Sequence, residues 1–257
     1  MADSHLNALR SYPDVEPAQY PIAKAIALHL MPGLVQVAVF ALLAPVVMNG
    51  GLPSGFAFIF VNVFVGIPVM LGFLFYQGKR RNGKVSLAGV VKNLDPMPLR
   101  QYFLFFILLF GFAFVVLFAT SPINSYLEET VFAWMPAYFH SSQTMASGVA
   151  AKNVLLVMLL LQLVTDGFAL PIVEEIYYRG HLMPGISYLG FGAPIFSAFF
   201  FAINHFWQPY NYLLIFVIVL AQAFVVWRTK NIFIAMLTHC AGNTLGAVLS
   251  IAALTSS

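Results

Sequence analysis

The amino-acid sequence predicts an all-α protein, a polytopic transmembrane helix bundle of about seven spans. Three observations carry that reading. Of the 257 residues, 61% are hydrophobic and 8% are charged, whereas a soluble domain carries about 25% charged residues, so no water-facing surface can be built from this inventory. Seven stretches stay apolar over about the 20 residues that a helix needs to cross roughly 30 Å of hydrocarbon. The cations cluster between those stretches instead of spreading along them.

Taken in chain order, residues 1–23 contain Asp3, Asp14 and Glu16 and lack the basic start and small-residue cleavage pattern of a removable signal. They read as a cytoplasmic N-terminal segment, with the first span as an uncleaved insertion signal. Spans near 24–48, 54–76 and 101–120 then make an N-terminal three-span region, 24–150, in which Asn49-Gly50-Gly51 marks the first turn. Six of the twelve Lys and Arg, namely Lys79, Arg80, Arg81, Lys84, Lys92 and Arg100, fall in the loop 77–100. Short cytoplasmic loops are enriched in cations, so this loop is assigned to the cytoplasm. Alternation then puts the N-terminus, 185–189 and 228–230 inside, and 121–152 and the C-terminus outside. Arg228 and Lys230 fall on the inner side without having been used to choose it. The stretch 121–152, with Pro122, Glu128, Glu129 and Pro136, reads as an outer loop with an interfacial helix around Trp134. Spans near 153–184, 190–207, 210–227 and 231–254, broken at Gln208-Pro209, form a four-span unit, 151–257. The expected setting is the lipid bilayer of a cell (plasma) membrane, crossed several times.

Composition also excludes some chemistry. Cys240 is the single cysteine, which rules out an intrachain disulfide and a thiolate metal cluster. The net charge of +3 arises from clustered cations, so no nucleic-acid partner is read from it. No internal repeat of the transporter kind is visible.

Ionisable groups inside spans cost several kcal/mol each on insertion scales and are functional candidates by default. The densest set is Glu174-Glu175-Ile176-Tyr177-Tyr178-Arg179, late in the fourth span. Glu175 and Arg179, four apart, share a helix face with the acid N-terminal to the base, the favoured order for an ion pair. Glu174 points about 100° away. The inferred division is that Arg179 neutralises and positions Glu175 while Glu174 is left to handle a proton. Phe201 to His205 in the fifth span and His239 to Asn243 in the seventh are the other polar clusters. Counted from the inner helix ends, Glu174, His205 and His239 lie about 15, 22 and 12 Å deep. Helices far apart in sequence therefore deliver Glu174, His205, His239 and Asn243 to one cavity, expected to open towards the cytoplasm.

The set Glu174-Glu175-x-x-x-Arg179, Phe201-x-x-x-His205 and His239-x-x-x-Asn243 resembles the CAAX-protease and bacteriocin-processing (CPBP) family of intramembrane peptidases, which includes the type II CAAX prenyl endopeptidases. The resemblance covers roughly 150–250. It implies peptide-bond hydrolysis within the membrane, with Glu174 and His205 activating a water and His239 and Asn243 stabilising the oxyanion, Glu175 and Arg179 completing the site. The physical requirements agree: the reaction needs a general base and preorganised donors. The partner is then a peptide or protein substrate entering from the membrane or the cytoplasmic side. Glu, His and Asn are also zinc ligands by type, and the resemblance supports a metal-bound form, with a divalent ion such as zinc on Glu174, His205 and His239, and a metal-free form alike. The His-Glu-x-x-His pattern is absent. Two other classes compete: a non-catalytic binding or immunity protein of the same fold, and a proton-coupled transporter using the same glutamates.

Plainer readings apply elsewhere. Phe201 is one of 26 phenylalanines and reads as packing. Asn204 reads as an interhelical hydrogen-bonding amide, His29 as a polar contact at a kink beside Pro32 and Gly33, and Glu128 with Glu129 as a solvated pair. Asp166, eight residues before Glu174, reads as a packing or water-contacting group. Cys240 adjoins His239 but diverges from it by about 100°, which argues against a cysteine nucleophile. The run Lys79 to Lys84 is chiefly a topology anchor, and the same charges suit anionic lipid. His5, His140 and His181 carry no assignment.

Overall fold

In the computed structural model the described residues are 18–140 and 151–256. They form a bundle of helices without strands, as the composition predicts. Six helices are long and apolar enough to cross a membrane: α1 (Ile22–Asn49), α2 (Ser54–Asn82), α3 (Leu99–Val131), α4 (Lys152–Leu182), α6 (Pro209–Thr229) and α7 (Phe233–Ser256). Between α4 and α6 lies α5 (Gly192–Asn204), 13 residues long and thus about 20 Å, too short to cross the hydrocarbon alone. The fifth stretch, expected as a span over 190–207, is corrected accordingly to this shorter helix. Its apolar run continues through Phe206 and Trp207, but the backbone leaves the helix at His205 (φ −80°, ψ 53°), because the chain must turn before Pro209 to begin α6.

Two other boundaries move. The third span does not end near 120: α3 continues through Pro122 to Val131. Of the expected interfacial helix around Trp134, the described residues contain one 3-10 turn, Ala137–Phe139. The segments expected at 1–17 and 141–150 lie outside the described residues, as does His5.

Large apolar side chains such as Leu42, Phe64, Phe103, Val115 and Phe118 point outwards, the arrangement a lipid environment favours. The core joins bulky aliphatics such as Met70, Leu74, Leu182 and Ile234 to many polar groups, among them His29, Gln36, Asn62, Glu174, Glu175 and Arg179. The α4 helix is central. It packs against α7 and the two halves of α2, while its last turns meet α1 and α5; α6 lies between α5 and α3, and α3 also packs on α7.

One end of the bundle gathers the segments that alternation placed together. Tyr20 N–H donates to Gly185 O (2.7 Å), Lys92 N–H to Gly180 O (2.7 Å), Asp95 N–H to Lys230 O (2.8 Å) and Ile232 N–H to Asn93 O (2.8 Å), with a bridge between Leu94 and Asn231. The six cations of 77–100, with Lys24, Arg228 and Lys230, bring nine of the twelve Lys and Arg to this end. His181 is a tie here. Its Nδ1–H donates to Val90 O (2.9 Å), which leaves Nε2 as the acceptor for Tyr20 OH (2.7 Å).

Candidate active site

The local backbone of α4 is unusual, and it sets the site. Two π-helical stretches, Thr165–Ala169 and Glu175–Leu182, flank a short α-helical piece, Leu170–Glu174. Such wide turns are rare and recur at functional sites, since they rotate side chains out of the α-helical register. Glu174 and Glu175 sit at the junction, both buried.

The ion pair expected from the four-residue spacing forms: Arg179 Nη1 lies 3.2 Å from Glu175 Oε1, with both side chains fully buried. The same Oε1 accepts from His239 Nδ1–H at 3.0 Å. That bond fixes the imidazole so that its Nε2 faces Glu174 Oε2, 3.9 Å away. The two glutamates therefore flank one histidine, a coupling that angular separation along an ideal helix did not reveal.

His205 is the residue just past the end of α5 rather than one inside a span. Its Nδ1–H donates to Phe201 O at 2.9 Å, which leaves Nε2 as a lone-pair acceptor. Phe201 does more than fill space. The guanidinium of Arg179 stacks on its ring at 4.3 Å, its edge meets Tyr178 at 4.8 Å, and the rings of His205 and His239 lie 4.9 and 6.2 Å from it. A cation over an aromatic face is attracted by the ring quadrupole, so the phenylalanine links the buried charge pair to both imidazoles.

Asn243, one turn along α7 from His239, donates through Nδ2 to Asp166 O at 2.8 Å, a carbonyl within the first π-helical stretch of α4. One amide N–H of Asn243 is committed by this bond and a second is left. Cys240 Sγ approaches Phe168 O at 4.0 Å, away from the imidazole, as the helical angle predicts.

The first span was expected to offer only a kink, and it supplies the mount. Pro32 lacks an N–H, so the carbonyl of Leu28, four residues back, has no helical donor; Tyr177 OH donates to it at 2.8 Å. Gly33 N–H turns to Asn204 Oδ1 at 2.6 Å, and Tyr178 OH reaches His29 O at 3.1 Å. A Cβ on Gly33 would lie 1.9 Å from Asn204 O, so only glycine permits this approach. Pro32 and Gly33 thus anchor the residues that follow Glu175 and the one that precedes His205. The signal in the sequence was the Pro-Gly pair itself, which leaves the carbonyls of Leu28 and His29, one turn earlier, to find donors elsewhere. His29 Nδ1–H closes on its own helix at Ala25 O (2.8 Å).

Glu174, His205, His239 and Asn243 line one cavity of about 590 Å³, together with Asp166, Gln162 and Gln222. The remaining walls are aromatic and aliphatic: Phe110, Phe114 and Leu117 from α3, Phe40 and Phe58 from α1 and α2, Tyr138 and Phe139, and Trp207 to Tyr210. The lining contains no residue from 77–100, 180–191 or 228–232. No part of the cavity wall therefore comes from the cationic end. The cavity runs from Gln222 and Thr238 towards the opposite end, because Tyr177, Tyr178 and Leu182 fill the core below it.

Among the described residues no three His, Cys, Asp or Glu stand as a metal-binding group. The 3.9 Å between Glu174 Oε2 and His239 Nε2 also exceeds the roughly 3.3 Å that follows from tetrahedral zinc bonds of about 2.0 to 2.1 Å. As placed, this donor set does not fit the ion.

Residues 156–245 match the family model described as type II CAAX prenyl endopeptidase Rce1-like. The match runs from within α4 to the middle of α7 and is consistent with the CPBP resemblance carried by the three motifs; it points to a protease embedded in the membrane. No curated protein and no solved structure matches the chain.

Proposed function

We propose that this chain is an intramembrane endopeptidase whose hydrolytic water is activated by Glu174 and His205 and whose oxyanion is stabilised by His239 and Asn243. The observation that carries the reading is one cavity lined by all four side chains, with His239 held by Glu175 so that Nε2 faces the Glu174 carboxylate. A gap of 3.9 Å admits one oxygen hydrogen-bonded to both groups at ordinary distances near 2.8 Å.

In this scheme Glu174 accepts a proton from the water as its oxygen adds to the peptide carbonyl carbon, and His205 Nε2 accepts a hydrogen bond from the second O–H. The developing oxyanion takes the remaining N–H of Asn243 and an N–H from His239 Nε2. That role uses His239 with a hydrogen on each nitrogen, Nδ1–H donating to Glu175 Oε1 at 3.0 Å and Nε2–H to the oxyanion. Glu174 then returns its proton to the leaving amine as the C–N bond breaks. Arg179 pairs with Glu175 at 3.2 Å and touches no substrate atom. Preorganised donors in a water-poor site are the largest single source of such catalysis.

Access supports a membrane-borne substrate. Phe114 and Leu117 on α3 and Gly242 and Asn243 on α7 line the cavity and are exposed as well, so a peptide can enter between those two helices. The nine cations at one end support a cytoplasmic placement of that end and of the N-terminus, with the plasma membrane as the setting.

The test is a comparison of peptide termini in cells carrying the intact chain, Glu174→Ala or His205→Ala, with insertion checked by membrane fractionation. New termini that depend on both residues are expected. Identical sets of termini in all three, with the variants inserted, exclude hydrolysis and favour a binding role. A parallel arm with the purified protein, treated with chelator and then resupplied with zinc, decides whether Glu174, His205 and His239 take up a divalent ion.

A further inference from the structure

Asp166 is the second carboxylate in the cavity and has no part in the scheme above. Its support is elaborate. Gln36 Nε2 donates to Asn62 Oδ1 at 3.0 Å, Asn62 Nδ2 donates to Asp166 Oδ1 at 2.8 Å, and Thr165 Oγ1 donates to the same oxygen at 3.1 Å. Gln36 and Asn62 are fully buried, and Gly66 leaves the space the Gln36 amide occupies, since a Cβ there would meet Nε2 at 2.4 Å. Its last two members, Asn62 and Asp166, lie in π-helical turns, Asn62–Gly66 in α2 and Thr165–Ala169 in α4, and these turns touch. Asn243 of α7 holds the Asp166 carbonyl. Four helices thus meet at Asp166, three through the side-chain ladder and α7 through the backbone carbonyl, and buried amides are costly unless each is bonded. Apolar contacts would join the helices more cheaply.

What the ladder holds in place is a charge on the cavity wall. Asp166 lines the cavity, its side-chain hydrogen bonds fall on Oδ1, and no Lys or Arg is among the lining residues. Among the described residues Asp166 has no ion pair. A fixed carboxylate in a water-poor cavity attracts a cation more strongly than it would in water. Asp166 and Glu174 are eight residues apart on α4, about 12 Å along the axis. An extended peptide advances about 3.4 Å per residue, so that distance corresponds to three or four residues of substrate.

We propose that Asp166 is a charge-selecting subsite of the cavity, which favours apolar peptides carrying one basic side chain three or four residues from the bond cleaved. The inference rests on the peptidase reading for the bond, but binding alone tests the subsite. The probes are apolar decapeptides, acetylated and amidated so that the side chain is their only charge, with Lys, norleucine or Glu at each position up to four residues on either side of the centre. Affinity is measured by fluorescence anisotropy on Glu174→Gln protein in lipid nanodiscs.

The Lys peptide is expected to bind about tenfold more tightly than the norleucine peptide and the Glu peptide about tenfold more weakly, each about 1.4 kcal/mol, at one side of the centre and three or four positions out. The advantage should vanish in Asp166→Asn, whose amide oxygen can still accept from Asn62 and Thr165, so the ladder survives. It should grow in Gln162→Glu, which adds a carboxylate to the same wall. Equal affinities for the Lys and Glu peptides, a Lys preference that survives in Asp166→Asn, or no binding by any peptide would each overturn the subsite. Cleavage of the same peptides by the Glu174 protein is read in parallel: a Lys preference without cleavage leaves the subsite standing and overturns the hydrolase.

Discussion

The two ends of the bundle close in different ways. At the cationic end, backbone bonds from Tyr20 to Gly185, from Lys92 to Gly180 and between 93–95 and 230–232 join four segments, and His181 ties two of them by its side chain. At the other end the closure is largely aromatic: Phe40 meets Phe58 and Phe139 at 5.6 and 5.4 Å, and Phe58 meets Trp207 at 5.3 Å. Main-chain hydrogen bonds are directional and leave costly orphans when broken in an apolar setting. Aromatic edges slide apart at a smaller polar cost, here the bond from Tyr210 OH to Phe139 O at 2.9 Å. The difference teaches why the cavity extends towards the aromatic end, and it assigns the firmer closure to the cationic end.

That assignment can be broken or sharpened by substitution. The largest effect is expected between the two ends, at Arg179→Met. It removes one partner of a buried pair and should cost about 3 to 5 kcal/mol of unfolding free energy, read by denaturant titration in detergent micelles; Glu175→Gln added to it should restore part of the loss. Next is Gly33→Ala, whose Cβ would clash with the Asn204 backbone. Overpacking of this kind costs about 1 to 3 kcal/mol, and because Asn204 precedes His205, activity per folded molecule should fall as well. At the cationic end, His181→Phe strands Tyr20 OH and Val90 O, and should lower the unfolding free energy by about 1 to 2 kcal/mol with kcat unchanged. The smallest effect on stability is expected at Phe139→Ala, about 1 kcal/mol from the lost edge contact with Phe40, with KM altered roughly threefold to tenfold because the ring also lines the cavity. If Phe139→Ala unfolds the protein while His181→Phe is silent, the contrast between the ends is reversed.

Much of this was legible beforehand. The apolar runs that became α1, α2, α4, α6 and α7 were long and sharply bounded, and the grouping of 77–100 with 185–189 and 228–230 followed from alternation alone. The shared face of Glu175 and Arg179 was set by helical spacing. The length of α5 was not legible, because hydrophobicity measures what tolerates lipid and says nothing about where a backbone must turn. The Pro122 continuation of α3 was missed for a related reason, since within a bundle one lost hydrogen bond does not stop a helix. The part of Phe201 was hidden among 26 phenylalanines, and the Gln36–Asn62–Asp166 ladder could not be seen at all, because its three residues are joined only across helices.

By itself the sequence determined that this chain lives in a bilayer as helices and which side chains must be withdrawn from lipid, since both follow from the one-dimensional pattern of transfer costs. Tertiary structure alone decided that Glu174 and Glu175 share one histidine, that the first span mounts the site through Pro32 and Gly33, and that the cavity runs away from the cations. Those outcomes depend on π-helical turns and on hydrogen bonds between distant segments, and such bonds are set by how far backbones can approach one another in space, a quantity no residue carries alone.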